Sequence, residues 1–460
     1  MGATKLYLGA AASGRERAPY EIPAHHLATH GVVVGMTGSG KTGLLTVLVE
    51  EAVRNSVPVL MIDVKGDLPN LMLTLPSFAA EEMAPWVDAS PEATDEERLA
   101  AAVARVEARK ESLARWGISP KAVQKFDQKL AVRVITPGSS AGELLHVLSS
   151  LERRSPRWDD DPESARATLS AAISLVLRLV GREADPAKSR EHVLLAVLAE
   201  RRLIANQPAD ITALLDDLEH PPFDKIGALP IDRFLSKKAR RDLAAGLNSL
   251  LASPTFASWR QGATLDVAAW MTSTGGRTPA TIVSVAHLDD DERALVLGVL
   301  LEEILSWVRG LPGAQSLRAL IVFDEVYGFL PPHPASPPTK RPLVALMKQA
   351  RAFGVGVLIA TQNPMDLDYR ALSNAGLWCI GRLQTDADRA RVVEGMQLAH
   401  GDDIDYDAML RQLEPRWFLI RDAHQPGPPQ WVRPRFAITV LRGPMTRQEI
   451  RRARVRGRDG

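Results

Sequence analysis

Residues 35–42 carry the strongest chemical pattern in the chain. They fit the phosphate-binding loop pattern G-x-x-x-x-G-K-[ST] at every position, and the eight residues are Gly35, Met36, Thr37, Gly38, Ser39, Gly40, Lys41 and Thr42. In such a loop, glycines let backbone N–H groups converge on phosphates, and the following helix adds a partial positive charge. We expect Lys41 to reach the β- and γ-phosphates from the surface of a preformed loop, and Thr42 to coordinate Mg²⁺. The loop therefore predicts a site for ATP and Mg²⁺.

Two adjacent acids end an apolar segment much later in the chain. Residues 319–323 are all apolar, and Asp324 and Glu325 follow them directly. At the carboxyl end of a strand, Asp324 can hold the magnesium shell and Glu325 can act as the base for an attacking water. A strand that ends in Asp-Glu is common, but together with a phosphate loop it predicts hydrolysis of the nucleotide.

Four other polar residues are candidates for the same site. Gln362 ends an apolar segment and is placed to sense the γ-phosphate. Asp63 ends another, where it is either a second acid of the site or a turn residue. Arg351 is either a solvated charge at a helix end or a finger inserted into a neighbouring subunit's site, and Arg382 is the rival finger.

A mostly parallel sheet is needed to position these side chains. The loop lies between an apolar run at 31–34 and a periodic helix at 41–54, and a second apolar run follows at 57–62. This is a βαβ unit buried on both faces. Further strands are predicted at 132–135, 281–285, 319–323, 355–360 and 377–383, with a hairpin at 417–421 and 431–436. The expected fold class is α/β, a RecA/ASCE-like P-loop NTPase with helices flanking the sheet.

Changes in hydrophobic periodicity and composition divide the chain into five parts. They are a lead-in at 1–30, the first part of the ATPase core at 31–150, a helical insertion at 151–275, the second part of the core at 276–430 and a basic tail at 431–460. The tail holds nine arginines against Glu449 and Asp459. It is either a solvated helix or a contact with nucleic acid.

Composition excludes several classes of protein. The 460 residues include 45% hydrophobic residues and carry a net charge of +1, so the chain is neither disordered nor a polycation. Cys379 is the only cysteine, which rules out an intramolecular disulfide framework or a Cys-rich zinc site. No apolar run approaches the roughly 18 residues needed to span a bilayer. We therefore expect a soluble cytoplasmic protein with no membrane partner, in which Cys379 is an inert core residue.

Together these segments resemble the HerA–FtsK superfamily of hexameric DNA-pumping ATPases, in particular the bacterial HerA-like ATP-binding proteins. The residues that carry the resemblance are Gly35–Thr42, Asp63–Leu68, Phe323–Glu325 and Lys348–Pro364. The resemblance implies phosphate and metal binding by Lys41 and Thr42, and hydrolysis by Asp324 and Glu325. It also implies that Gln362 is the sensor, that Asp63 is a second acidic site residue, and that Arg351 is supplied in trans.

The implied function is Mg²⁺-dependent ATP hydrolysis that drives translocation or unwinding of double-stranded DNA by a homo-oligomer, most simply a hexamer. Two alternatives stay open: a motor for protein or conjugative transfer, since type IV secretion ATPases share this core, and a nucleotide-controlled scaffold that recruits an effector in phage defence. The intact Glu325 argues against a pure scaffold. Archaeal HerA helicases dock a nuclease with the help of an N-terminal β-barrel, whereas the loop here begins at Gly35, so a nuclease or effector partner also stays open.

Overall fold

A sheet of 11 strands forms the centre of the computed structural model, which describes residues 4–456 except 14, 15, 89, 91, 156, 366 and 402. In chain order its strands are β1 (Lys5–Ser13), β2 (Glu16–Pro23), β3 (Gly31–Val34), β4 (Val59–Asp63), β5 (Leu130–Ile135), β6 (Thr278–Ser284), β7 (Ala314–Asp324), β8 (Phe353–Thr361), β9 (Leu377–Ile380), β10 (Phe418–Asp422) and β11 (Gln430–Pro434). All the strands predicted from the sequence are present.

The sheet is parallel in one part and antiparallel in the other. Across the sheet the order is β2-β1-β11-β10-β9-β3-β8-β7-β4-β6-β5. The strands from β9 to β5 in this order pair in parallel, and those from β9 back to β2 pair antiparallel. Strand β8 lies between β3 and β7, so Gln362 follows a strand that separates the phosphate loop from the two acids.

Helices cover both faces of the sheet. Those of nine or more residues are α1 (Lys41–Arg54), α2 (Asp95–Ala114), α3 (Pro120–Lys129), α4 (Pro162–Leu179), α5 (Arg190–Ile204), α6 (Ile211–Glu219), α7 (Lys237–Ala252), α8 (Asp290–Arg309), α9 (Lys340–Gln349), α10 (Asp386–His400) and α11 (Arg447–Arg456). Shorter helical turns are Ala24–Thr29, Leu68–Met72, Ala80–Met83, Ala84–Trp86, Ser149–Glu152, Arg157–Asp160, Ile231–Phe234, Pro254–Ala257, Val267–Trp270, Ala350–Ala352, Tyr369–Leu372 and Tyr406–Arg411. Two-residue strands pair Leu145–His146 with Ala263–Thr264, and Lys225–Ile226 with Leu229–Pro230.

Two hydrophobic cores form because the strands are apolar on both faces. Val32 and Val34 belong to one core and Val33 to the other, as the alternation of side chains along a strand requires. The first core includes helices α4 to α9, and the second includes α1, α2 and α3. The helices of the 151–275 segment therefore pack against one face. Cys379 is fully buried in β9, where burial raises the pKa of its thiol.

Strands β1 and β2 are a feature that the sequence pattern did not predict. β2 contains prolines at 19 and 23 and lies at the outer edge of the sheet, where a missing backbone N–H is tolerated. β1 pairs with β11, which begins beside the 431 boundary of the basic tail. The lead-in at 1–30 and the tail at 431–460 thus both contribute residues to the sheet.

Candidate nucleotide-binding site

The phosphate loop runs from the end of β3 to the start of α1. Neighbouring strands hold it in place: Gly35 N donates to the Thr361 carbonyl (3.3 Å), and Met36 N donates to the Arg382 carbonyl (2.8 Å). Gly40 has φ +95°, a conformation that favours glycine. At Gly35, an added Cβ would approach Ser39 Oγ to 2.5 Å. Backbone conformation at Gly40 and lack of space at Gly35 therefore favour glycine at these two positions.

Lys41 is the buried centre of the site. Its side chain is 4% exposed, and Nζ lies 2.9 Å from Glu325 Oε2 and 3.7 Å from Asp324 Oδ1. The expectation that this ammonium lies on the surface of the loop is therefore wrong. The burial results from tertiary contacts. Helix α1 begins at Lys41, and the carboxyl end of β7 places Asp324 and Glu325 next to its ammonium.

Glu325 is held in an unusual backbone conformation with every carboxylate oxygen occupied. Its φ is +60°, which is uncommon for a residue other than glycine and is typical of functional sites. Oε2 accepts from Lys41 and lies 2.8 Å from Lys65 Nζ. Oε1 accepts from Gln362 N (3.0 Å) and Thr361 Oγ1 (3.2 Å). Burial alone would raise the pKa of Glu325, but Lys41, the Gln362 N–H and Lys65 more than offset it and lower the pKa.

Asp324 offers an oxygen with no hydrogen bond. The residue is 1% exposed, and Oδ1 has no hydrogen-bond partner. Burial raises its pKa, and the charge of Lys41 opposes that shift. In the described part of the chain, no group of three or more His, Cys, Asp or Glu is arranged to hold a metal ion. The unpartnered Asp324 oxygen fits Mg²⁺, which proteins hold through one or two side chains together with phosphates; a role for the Thr42 hydroxyl stays a prediction.

Asp63 shapes the turn after β4. Its Oδ1 accepts from Gly66 N (2.9 Å), and Oδ2 accepts from Ser284 Oγ (2.7 Å). It is opposite Asp324 in the parallel β4–β7 pair. Burial raises the pKa of Asp63 to about 6, while the Ser284 hydrogen bond lowers it and the Asp324 charge raises it. The carboxylate thus acts as a turn residue here, and direct contact with a nucleotide stays a prediction.

Gln362 joins the loop to the acids. Its Oε1 accepts from Thr37 Oγ1 (2.9 Å), while its N–H donates to Glu325. Lys65 is the member of this cluster that sequence reasoning did not select. The signal was its position two residues after Asp63, at the strand end that neighbours β7. A lysine there faces the same acids as the lysine of the loop.

The two candidate arginine fingers lie at opposite ends of the parallel strands: Arg351 precedes β8, and Arg382 follows β9. Arg351 is exposed in the turn Ala350–Ala352, before β8 begins. Gln362 follows the other end of β8, roughly 30 Å away for nine extended residues. Burial is the main cause of the lowered pKa values of His30 and His424, and the positive charge of Arg351 lowers both further. Arg382 is exposed just after β9, beside the loop. The structure therefore does not bring Arg351 to its own chain's site.

A cavity of about 430 Å³ adjoins the loop and was not predicted from the sequence. It lies between α2 and the segment after β11, with Gly40 and Gly43 on one wall. Phe436 contributes an aromatic ring, and Arg105 and Arg416 contribute guanidinium groups. Its volume is within the usual range for small-molecule sites, about 300–1,000 Å³.

Several charges of the basic tail are paired within the chain. Arg435 is fully buried, with Nη1 2.8 Å from Glu50 and Nη2 2.9 Å from Glu51. Arg442 pairs with Glu449 at the start of α11. On α11, Arg451 donates to Ser140 Oγ (3.0 Å). The described part of the tail is therefore packed on the domain. Arg435 is neither a solvated charge nor exposed to nucleic acid, which were the two interpretations of the tail from the sequence.

Comparison with known proteins identifies related folds. Residues 10–87 match the family model described as Helicase HerA-like C-terminal. No curated protein matches the chain. The structure is similar to VirB4 of Thermoanaerobacter pseudethanolicus (TM-score 0.52, 13% identity), covering 93% of this chain and 96% of that chain. It is also similar to the plasmid coupling protein TrwB in complex with ADP and Mg²⁺ (TM-score 0.52, 15% identity), covering 97% and 99% of the two chains.

The bacterial conjugative coupling protein TrwBdeltaN70 in its unbound form gives a similar match (TM-score 0.51, 12% identity), covering 95% of this chain and 91% of that chain. At these identities the likeness concerns the fold alone. It confirms the predicted α/β fold of the RecA/ASCE-like P-loop NTPases. Together with the family match, it confirms the resemblance to the HerA–FtsK superfamily.

Proposed function

We propose that this chain is a Mg²⁺-dependent ATPase that drives translocation or unwinding of double-stranded DNA as a homo-oligomer, most simply a hexamer. The observation that carries the proposal is the position of Lys41, buried between the phosphate loop and the Asp324–Glu325 pair. Gln362 is hydrogen-bonded to both the loop and Glu325. A loop lysine, a base and a polar sensor in direct contact are the parts that phosphoryl transfer to water requires.

Each residue has a defined task in this proposal. Lys41 exchanges Glu325 for the β- and γ-phosphates, and Glu325 then accepts a proton from the attacking water. Thr42 and Asp324 hold Mg²⁺, which neutralises charge on the phosphates when bound. Gln362 responds to the γ-phosphate through its contact with Thr37. The nucleoside occupies the cavity beside Gly40. ATP and Mg²⁺ are supported by the precedent of TrwB, which was solved with ADP and Mg²⁺.

An oligomer acting on DNA is the second part of the proposal. Arg351 is exposed at the amino end of β8, away from the phosphate loop of its own chain. In an oligomer it would contact a nucleotide bound to a neighbouring subunit. The match to a HerA-like helicase model favours DNA as the substrate. The proposed location is the cytoplasm, where ATP is supplied. No helix in the described ranges has the length and apolar character to cross a membrane.

The test is ATP hydrolysis measured with and without double-stranded DNA, in the presence and absence of Mg²⁺. We expect Mg²⁺-dependent turnover that DNA stimulates, and we expect Glu325→Gln to abolish it under the same conditions. A chain that binds ATP and hydrolyses none would contradict the ATPase proposal. Hydrolysis that DNA leaves unchanged would contradict the DNA motor.

A motor for protein or conjugative transfer is the second candidate function. It is favoured by the similarity of fold to VirB4 and TrwB over more than nine-tenths of this chain. It predicts ATP hydrolysis that is insensitive to free DNA duplexes. The third alternative, a scaffold recruiting an effector, predicts nucleotide binding with negligible turnover. The same assay therefore separates all three.

A further inference from the structure

Both carboxylate oxygens of Glu325 accept hydrogen bonds in this structure, and Oε2 is held by two lysines. A carboxylate has about four lone-pair sites. Lys41, Lys65 and the Gln362 N–H occupy three of them here. The single proton of the Thr361 hydroxyl can go either to Glu325 Oε1 or to the Asn363 carbonyl, both at 3.2 Å. A water molecule gains a site on Oε2 when one of these two lysines leaves.

Lys41 is the donor that nucleotide binding removes. Phosphates on the loop compete for its ammonium, and its departure opens an acceptor site on Oε2 that faces the loop. Glu325 is largely buried, so losing a cation there is unfavourable unless another remains. Among the described residues, Lys65 is the other cation at that oxygen, 2.8 Å away. Its side chain is 34% exposed.

The backbone around Lys65 is fixed from two directions. The neighbouring Gly66 donates its N–H to Asp63. The Gly66 carbonyl accepts from Met445 N at 2.9 Å. Gly66 has φ +92°, and an added Cβ would meet the Met445 carbonyl at 3.4 Å. Lys65 therefore projects from a turn that the acid of β4 and the C-terminal segment hold together.

We propose that Lys65 is a positioning residue that keeps Glu325 oriented and charge-compensated when Lys41 transfers to phosphate. The proposal rests on the proposed function, in which Glu325 is the base. Lys65 acts only through Glu325 and does not contact the nucleotide. It therefore lowers the free energy needed to withdraw Lys41 from Glu325.

A double-mutant cycle on ADP affinity tests this without hydrolysis. The probe is a fluorescent ADP analogue titrated into the parent, Lys65→Met, Glu325→Gln and the double variant. We expect Glu325→Gln to bind ADP more tightly, because Lys41 then has no anionic competitor at that position. We expect Lys65→Met to weaken binding about tenfold, which corresponds to about 1.4 kcal/mol. In the Glu325→Gln background, the same change should have no effect.

Two results would overturn the proposal. Equal weakening in both backgrounds would assign Lys65 to the phosphates directly, and no weakening in either would leave it without a role. Lys65→Arg keeps a cation and should retain most of the affinity. Lys188→Met is the matched control, because Lys188 pairs with Asp185 at an exposed position in the helical segment. It should match the parent.

Turnover provides the second readout. Lys65→Met should lower kcat more than its effect on ADP binding explains, and Lys65→Arg should restore part of it. The Glu325→Gln variant should lose nothing further when Lys65 is changed. A parent that binds ADP but hydrolyses no ATP would refute the proposed function, while the affinity cycle would still decide the link between Lys65 and Glu325.

Discussion

Replacing Arg435 by Met should destabilise the fold, although the residue belongs to a segment rich in exposed arginines. Its guanidinium is 0% exposed and pairs with Glu50, also 0% exposed, and with Glu51. It also donates to the Phe436 carbonyl (2.9 Å) and the Tyr7 carbonyl (3.3 Å). Methionine removes all of these bonds and leaves two buried carboxylates without their shared cation.

Breaking a buried ion pair by removing one partner costs about 3–5 kcal/mol. The lower end applies here because Glu50 keeps the N–H groups of Ile438 and Thr439, and Glu51 keeps the N–H of Tyr7 and its ion pair with Arg54 (2.6 Å). We therefore expect a loss of about 3 kcal/mol in the free energy of unfolding. Urea denaturation followed by tryptophan fluorescence and far-UV circular dichroism measures it as a lower midpoint.

Arg433→Met is the matched control, since Arg433 is only half-buried beside the cavity, two residues earlier on β11. It should change the free energy of unfolding by less than about 1 kcal/mol. A loss of under about 1 kcal/mol in Arg435→Met itself would refute the reasoning. It would mean that the two glutamates are neutralised in another way, or that the segment after β11 is not docked on α1.

Four further predictions concern the nucleotide site and the amino ends of β3 and β8, where His30 and Arg351 lie. Glu325→Gln should bind ATP but turn it over at least about a hundredfold more slowly; undiminished steady-state hydrolysis would remove Glu325 as the base. Lys41→Ala should abolish ATP binding and also lower the free energy of unfolding by about 1–3 kcal/mol, because buried acids lose a partner; calorimetric titration and urea denaturation check both effects. Arg351→Ala should keep ATP binding and lose about 10³–10⁵ in turnover, and mixing it with Glu325→Gln should restore activity in a mass-verified oligomer, whereas a monomer would defeat the trans finger. Burial lowers the pKa of His30 to about 4, so the unfolded chain binds more protons than the folded chain between that pH and 6.5. Because the pKa values of other histidines are also lowered, the parent is compared with His30→Gln: from pH 5 to pH 7 its free energy of unfolding should rise by about 2 kcal/mol more than that of the variant, and equal rises would exclude His30 as the cause.

Local patterns were sufficient for the parallel part of the fold. The apolar runs at β3, β4, β7 and β8 predict strands buried on both faces, and α1 has the bounds, 41–54, that its periodicity indicates. Strand β2 pairs with the neighbouring β1, but its prolines at 19 and 23 argue against a strand. Strand β1 was not predicted because its other partner is fixed by contacts across the whole chain. Gly9, for example, pairs with Pro434. No window of neighbouring residues contains that information.

The candidate site was predictable in its members but not in its contacts. Lys41, Asp324, Glu325 and Gln362 follow from motifs, and the structure brings them together; their roles stay predictions. The burial of Lys41 depends on the relative positions of β7 and α1, which the motif does not specify.

The buried pairing of Arg435 had a signal in the sequence. Glu50 and Glu51 interrupt an apolar helix at positions that face the core, and buried acids require a cation. Sequence spacing could not identify which arginine supplies it. That assignment needed the path of the segment after β11.

The pairing of β1 with β11 has a consequence for synthesis on the ribosome. β1 is synthesised before its partner strand β11, which emerges roughly 400 residues later, after roughly 20–80 s at typical elongation rates. During that time both edges of the β1–β2 hairpin are uncovered, including the β1 edge that β11 later covers, and an isolated hairpin is marginally stable in water. Such an edge can pair with another nascent chain. Overexpression should therefore produce aggregates of incomplete chains unless a chaperone covers this hairpin until β11 arrives.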